Sequence, residues 1–300
     1  MTAGRHSYLP VIPLHDENPT RSFAWVTLVL IVLNVAVFVF VQPRDQGVEE
    51  VEFAFEFAAI PCEIVEGRPL TLSENPVTNG GLDNACGAGD AAAGRACTEA
   101  ERGRDCEMFP DKLVWVSVLF SMFLHGSWLH LGLNMLFLWV FGNNIEDHLG
   151  RGRFAVFYLG AGVVATFAHV AWDTASTVPL VGASGAVAGV MGAYLVWFPN
   201  AQVRTVLFVI LVLFVRIPAK WWLGIWFATQ FFFDSGDGVA FMAHIGGFVA
   251  GVVVGLLVRE SRRARHALWK ETYADDESGL WDNRFGGRSD NPLPPTGLSG

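Results

Sequence analysis

The chain has 300 residues, 52% of them apolar and 16% charged, with a formal net charge of −9 at pH 7. That apolar share and a mean hydropathy of +0.38 exclude an ordinary soluble domain. Each helix that crosses a bilayer needs about 20 mostly apolar residues, and several stretches meet that requirement.

The first is Phe23–Val41. It is too long for the apolar core of a signal peptide, and its polar lead contains Pro10, Pro13, Asp16 and Glu17. It is therefore expected to stay in place as a signal anchor. The apolar stretch from Leu113 to Gly142 is too long for one upright span and is broken at Gly126-Ser127. Leu113–Leu124 reads as a segment lying in the interface, and Trp128 to about His148 as the second span, with Ser127 as its N-cap. Further spans are predicted at Phe154–Trp172, Val181–Phe198, Pro218–Phe233 and Ala240–Val258. Thr205–Val215 is strongly apolar, but its 11 residues are too few to cross.

Charge sets the orientation, because Lys and Arg beside a span favour the cytoplasmic side. Arg5 and Arg21 precede the first span, and Arg151 and Arg153 follow the second. Arg204, Arg216 and Lys220 lie between the fourth and fifth, and Arg259, Arg262, Arg263 and Arg265 follow the last. Six spans place all of these inside, with both ends cytoplasmic and with the basic-free loops Asp173–Leu180 and Asp234–Val239 outside. The expected organisation is a cytoplasmic segment 1–22, an all-α membrane domain 23–258, and a cytoplasmic tail 259–300. The tail is rich in Gly, Pro, Asp and Ser and is expected to be disordered. Arg259–Arg265 reads as a topology anchor rather than a partner site.

The outer loop 42–112 has its own character. Arg44 to Lys112 holds 15 Asp/Glu and 6 Lys/Arg, so the acidity of the whole chain resides there. All four cysteines, Cys62, Cys86, Cys97 and Cys106, are in it. An even number outside the cytoplasm reads as two disulfides, with three pairings open. The rival, a metal site, lacks a Cys-x-x-Cys pair or any His in the loop. Asn75–Ala93 reads as flexible, and the acidic excess as a device for solubility.

The residues with chemistry to offer lie in the apolar segments, where polar groups are costly and so point to function. Ser184 sits in the run Gly182 to Gly185, and His244 in Ala243-His244-Ile245-Gly246-Gly247. A serine hydroxyl becomes a useful nucleophile only when an adjacent base takes its proton, and His244 is the candidate base. The oxyanion so formed needs preorganised donors worth about 2.7–4 kcal/mol each. His130 and Asn134, four residues apart, share one helix face and both can donate, and the Ser184 N–H at a helix start adds a third. In a six-span topology the second, fourth and sixth helices run the same way. His130, Ser184 and His244 each lie within about four residues, or roughly 6 Å, of the outer start. Gly185, Gly189 and Gly192, and Gly247, Gly251 and Gly255, are small residues at spacings that let helix backbones approach closely. The pattern points to a serine protease within the membrane, needing no metal or cofactor.

Taken singly these signals are weak. Gly-x-Ser-Gly is not the Gly-x-Ser-x-Gly elbow, because Ala186 takes the last position. His169 reads as a packing residue, and His125, at the Gly126 break, as structural or as an aid to the site. Each glycine taken singly is explained by packing. Together the segments resemble a known family. Phe123-Leu-His-Gly-Ser-Trp-Leu-His-Leu-Gly-Leu-Asn134, Gly182-Ala-Ser-Gly185 and Ala243-His-Ile-Gly-Gly247 are similar to those of bacterial six-helix rhomboid intramembrane serine proteases. Asn144-Ile-Glu146 and Pro218-Ala-Lys-Trp-Trp222 add to the likeness, which covers Phe23–Val258 apart from the long loop.

The resemblance implies a six-transmembrane-helix bundle, Ser184 as nucleophile, His244 as base in a dyad with no third acid, and His130 and Asn134 as the oxyanion hole. It implies a structural Glu146, and a fifth helix and following loop that gate and cap the site. It also implies single-span transmembrane substrates, a lipid bilayer (of a bacterial plasma membrane), and no nucleic-acid partner. Two departures stand out: the long Cys-containing loop, and Val116 after Trp115 where the family often has a Trp-Arg pair. Two rivals are a client-binding relative that does not cut, and a transporter with a histidine proton relay. The first usually lacks nucleophile or base, both kept here. The second should show repeated halves, which are not seen here.

Overall fold

In a computed structural model the chain is described over residues 11–43, 47–75, 86–87, 107–208, 212–232 and 240–258. The expected tail 259–300, Arg5, the 234–239 loop, Cys97 and Cys106 lie outside these, as does most of the Asn75–Ala93 stretch.

The elements follow in the order β1 (Val11–Asp16), α1 (Trp25–Ala36, prolonged by a π-turn Val37–Val41), α2 (Val48–Phe57) and α3 (Pro61–Glu66). After these come α4 (Val114–Phe120, prolonged by Ser121–Phe123), α5 (Trp128–Leu149), α6 (Arg151–Trp172) and α7 (Ser184–Trp197). The hairpin β2 (Gln202–Phe208) and β3 (Val212–Pro218) then leads to α8 (Ala219–Thr229, prolonged by Gln230–Phe232) and α9 (Phe241–Leu257). Among the described residues α6 alone is long and apolar enough to cross a bilayer as a single straight helix. The α4 and α5 segments meet the same criterion jointly but are bent by 81° across the expected break at Gly126-Ser127. Trp25–Val41, Ser184–Trp197 and Phe241–Leu257 are shorter apolar helices.

Side-chain contacts give the helices an alternating direction. Glu146 near the end of α5 meets Thr27 at the start of α1, whereas Phe38 meets Trp128, so α1 and α5 are antiparallel. The Cα of Gly185 faces Ala165 and that of Gly189 faces Ala161, which sets α6 against α7. Gly185 with Gly247, and Gly189 with Gly251, make α7 and α9 parallel. Gln230 with His244, and Phe227 with Phe248, set α8 against α9. Most of α7 is buried between its neighbours, including Tyr194, Met191 and Ala188. Small residues make that burial possible. A Cβ on Gly251 would stand 1.9 Å from the Gly189 carbonyl oxygen, and one on Gly247 2.0 Å from that of Gly185. Backbones so close gain the dispersion contacts that hold helices together where lipid removes the hydrophobic drive.

Caps are shared between elements. Ser127 is the N-cap of α5, its Oγ accepting from the His130 N–H at 3.1 Å. Helix α1 has no side-chain cap of its own. The Glu146 carboxylate instead accepts from the Val26 N–H (3.0 Å), the Thr27 N–H (2.8 Å) and the Thr27 hydroxyl (2.8 Å). Asp147 accepts from the Ser22 N–H and hydroxyl and pairs with Arg21. Two carboxylates at the end of α5 thus face the positive end of the α1 dipole and its orphan donors.

The all-α expectation is corrected by a three-stranded antiparallel sheet in the order β1-β2-β3. The apolar stretch around Thr205–Val215 is its hairpin, with Gln202 opposite Pro218 and Thr205 opposite Val215. Val203, Thr205, Val206, Val215 and Ile217 are β-branched and suit a pleated surface better than a helix. The hairpin returns the chain to the end of the bundle at which α7 finishes, where the Ala219 N–H donates to the Ala201 carbonyl at 2.8 Å and the Lys220 N–H to that of Pro199 at 2.8 Å. Strand β1, with Pro13 at its irregularity, takes the sheet edge, where a missing N–H is tolerated. Glu17 pairs with Arg204 (2.6 Å) and Arg216 (3.0 Å) across the sheet.

The described parts of the long loop between α1 and α4 are more structured than its composition suggested. Helices α2 and α3 pack around Phe55, Ile60 and Leu70, and a disulfide joins Cys62 to Cys86. Its acidity is not all for solubility. Glu63 forms a buried ion pair with Lys112, whose ammonium also donates to the Phe55 carbonyl at 2.6 Å. Burial pushes the Glu63 carboxyl up and the Lys112 ammonium down, and each charge opposes the shift of the other. This pair, rather than a residue after Trp115, ties the loop to the foot of α4. Burial would also raise Glu74, but the Arg68 guanidinium and the Thr71 and Gly87 N–H groups outweigh it and hold the carboxyl at about 2.

Candidate active site

Ser184 is the first residue of α7, and His244 the fourth of the parallel helix α9. The Gly185–Gly247 approach just below them fixes the two helix starts side by side. His244 Nε2 then lies 2.8 Å from Ser184 Oγ, a hydrogen-bond distance. Both side chains are partly open rather than sealed in the core.

His130, the third residue of α5, comes to the same place. Gly182 has φ +126°, and a Cβ there would stand 2.9 Å from the His130 Cε1 and Nε2 atoms and 3.6 Å from Ser184 Oγ. The glycine both permits the turn into α7 and clears the space in which the imidazole and the serine meet. The Ser184 N–H, at the first position of the helix, has no acceptor within α7. Asn134 is buried one turn beyond His130, and its Nδ2 donates to the His130 carbonyl at 2.9 Å. That bond uses one amide hydrogen and leaves the second. His125 is fully buried, with its ring edge-on to that of His130 at 5.1 Å and its backbone held by the Gln42 side chain.

One polar residue of the site lies outside the sequence motifs. Gln230, 3% exposed, sits in the turn that prolongs α8 and places its Oε1 2.7 Å from His244 Nδ1. A glutamine within an otherwise apolar segment was the signal that marked it. Trp226, one turn earlier on α8, lies against the His244 ring at 5.9 Å.

Comparisons with known proteins identify the family. The family model described as Rhomboid domain matches residues 112–261, half of the chain. The chain belongs to the rhomboid family. It is similar to "Rhomboid protein 1, mitochondrial" of Saccharomyces cerevisiae, 30% identical over 155 residues, or 49% of this chain and 42% of that one. "Presenilin-associated rhomboid-like protein, mitochondrial" of Bos taurus is 29% identical over 179 residues, covering 58% and 41%. "Rhomboid protease GluP" of Bacillus subtilis is 35% identical over 140 residues, covering 46% and 25%. The chain thus spans less than half the length of these relatives. They come from mitochondria and from a bacterium, so the family places the chain in a membrane without choosing which.

Proposed function

We propose that the protein is an intramembrane serine endopeptidase that cuts single-span membrane proteins in or near their transmembrane segments. The observation that carries this reading is the 2.8 Å approach of His244 Nε2 to Ser184 Oγ across the α7–α9 contact. His244 takes the hydroxyl proton as Ser184 attacks the substrate carbonyl, and the imidazolium returns it to the leaving amine. Water then hydrolyses the acyl-enzyme by the same base, restoring the hydroxyl. His130, Asn134 and the Ser184 N–H donate to the oxyanion of each tetrahedral intermediate.

In this reading α1, α5, α6, α7, α8 and α9 are the six spans, with the α5, α7 and α9 starts at the outer side. The sheet, Arg21 and the Glu17 ion pairs mark the cytoplasmic side. Alternation of the helices and the return of the β2–β3 hairpin support it. The substrate enters the bilayer-facing side of the bundle as a single helix and must unwind at its top, because a hydrogen-bonded carbonyl is shielded from attack.

Labelling of the detergent-solubilised full chain with a fluorophosphonate probe tests the reading. Wild type should label, and Ser184→Ala and His244→Ala should not, while both insert into membranes normally. Labelling that survives Ser184→Ala would refute the assignment.

A further inference from the structure

We infer that Gln230 is a positioning residue for His244. Its side-chain carbonyl holds the imidazole in the tautomer protonated on Nδ1, leaving Nε2 bare to receive the Ser184 proton. The inference deepens the protease reading and rests on it for its catalytic meaning.

Gln230 Nε2 lies 3.1 Å from the Trp226 carbonyl oxygen and 3.3 Å from Thr229 Oγ1. A carbonyl oxygen can only accept, so the nitrogen end of the amide must face Trp226. The Thr229 hydroxyl also points at that carbonyl, at 2.6 Å, which leaves its oxygen as an acceptor toward the amide. The network therefore assigns the orientation of the amide, which atom positions alone leave ambiguous. Oε1 is then the atom 2.7 Å from His244 Nδ1. An amide oxygen carries no hydrogen, so Nδ1 must be the donor. A neutral imidazole has one N–H, and it is thereby fixed on Nδ1. Nε2, 2.8 Å from Ser184 Oγ, is left with its lone pair toward the hydroxyl.

The consequence appears during the reaction. When the Ser184 proton arrives on Nε2, the ring becomes cationic and the Nδ1–H bond to Gln230 becomes charge-assisted, hence stronger. An orienting acid has the same two duties in other serine proteases, namely setting the tautomer and steadying the imidazolium. Here the described hydrogen bonds of the His244 ring are to Ser184 and Gln230, and neither partner is a carboxylate. A neutral amide does the orienting at low cost in a low-dielectric site, where an unpaired carboxylate would be expensive. Helix packing holds the amide in place. Trp226 and Gln230 are four residues apart on one face of α8, and Phe227 stacks on Phe248 of α9 with centroids 4.5 Å apart.

The test is long-range 1H–15N correlation NMR on the full chain, labelled with 15N-histidine in detergent micelles, with His244 signals assigned by their loss in His244→Ala. Wild type should show His244 protonated on Nδ1. Gln230→Met removes the acceptor at similar volume. It should give mixed tautomers and lower kcat by roughly 10- to 100-fold, less than the 10²–10⁴ that a positioned base supplies in full. KM should stay within about twofold, as expected for a defect expressed after binding. Gln230→Glu, protonated in this low-dielectric site on the oxygen that faces the Trp226 carbonyl, keeps a donor there and an acceptor toward Nδ1, and should retain the Nδ1–H tautomer and most of kcat. An Nε2–H tautomer in wild type, or an unchanged tautomer and kcat in Gln230→Met, would overturn the inference. If Gln230→Met fails to fold, the wild-type tautomer and the Gln230→Glu variant decide. Because the tautomer is read without substrate, failure of the protease reading would show separately, as absent fluorophosphonate labelling.

Discussion

Gly251 of α9 faces the carbonyl oxygen of Gly189 in α7 with no room for a methyl group, which would lie 1.9 Å from that oxygen. The contact is between backbones, so no rotamer change relieves it. Gly251→Ala must push the two helices apart, and the separation carries up to Ser184 and His244. The expected outcome is a loss of at least about 3 kcal/mol, the upper end for overpacking, together with loss of fluorophosphonate labelling. Gly224 is the control, since nothing lies within 4 Å of its would-be Cβ on the exposed side of α8. Gly224→Ala should leave labelling intact and stabilise by up to about 1 kcal/mol through helix propensity. Equal thermal midpoints for Gly251→Ala and wild type in detergent would contradict the packing argument.

Glu146 is expected to act on stability and not on chemistry. Its carboxylate takes two α1 backbone donors and the Thr27 hydroxyl, all of which Glu146→Ala leaves without an acceptor. Buried donors so abandoned cost about 1–3 kcal/mol, and loss of a helix cap alone costs about 0.5–2 kcal/mol. Thr27→Val removes only the hydroxyl bond and should cost less. Thermal unfolding should rank the proteins wild type, Thr27→Val, Glu146→Ala in falling order. Probe labelling well below the midpoints should be the same in all three. A Glu146→Ala protein as stable as wild type would remove the cap from the account.

Much of this was legible because membrane helices announce themselves by local composition. The break at Gly126-Ser127, the Ser127 cap and the close α7–α9 approach all depend on residues adjacent in sequence or regularly spaced. The β2–β3 hairpin was not, because its apolar run has the composition of a short helix and only pairing with β1, some 190 residues earlier (Val11 with Leu207), makes it a sheet. The Glu63–Lys112 ion pair escaped for a similar reason, as charge counting cannot tell a solvated glutamate from a buried one. Gln230 was hidden in a segment judged by its apolar residues. The His244 tautomer depends on the Trp226 carbonyl, which no side-chain pattern reveals.

Asp16 should make stability depend on pH. It is buried on β1, where its Oδ2 accepts from the Tyr194 hydroxyl at 2.6 Å and from Asn144 at 2.5 Å. Burial raises its carboxyl to about 7, with the Tyr194 hydrogen bond opposing. The folded state therefore binds this proton more tightly than the unfolded chain does. Its contribution is fully present below the ordinary carboxylate range and is lost as pH rises through about 7. Asp16→Asn keeps an acceptor for Tyr194 but does not titrate. Relative to that variant, wild type should lose thermal stability as pH rises from the ordinary carboxylate range to about 7, with the difference levelling off above. A constant difference across that window would show that Asp16 binds its proton no more tightly in the folded protein than in the unfolded chain.

Asn134 should matter after substrate is bound. Its Nδ2 is anchored by one hydrogen to the His130 carbonyl, so the other is held in a fixed direction without cost at the moment of reaction. A donor that meets the oxyanion only once it forms contributes to the transition state and little to the ground state. Asn134→Ala should lower kcat by about 10²–10³, the range found when an oxyanion donor is removed, with KM changed by less than about threefold. Asn134→Asp preserves shape and can keep the bond to His130 only when protonated, and should be no more active than the alanine variant at neutral pH. A rise in KM at constant kcat would instead make Asn134 a substrate-binding residue and leave His130 and the Ser184 N–H as the oxyanion donors.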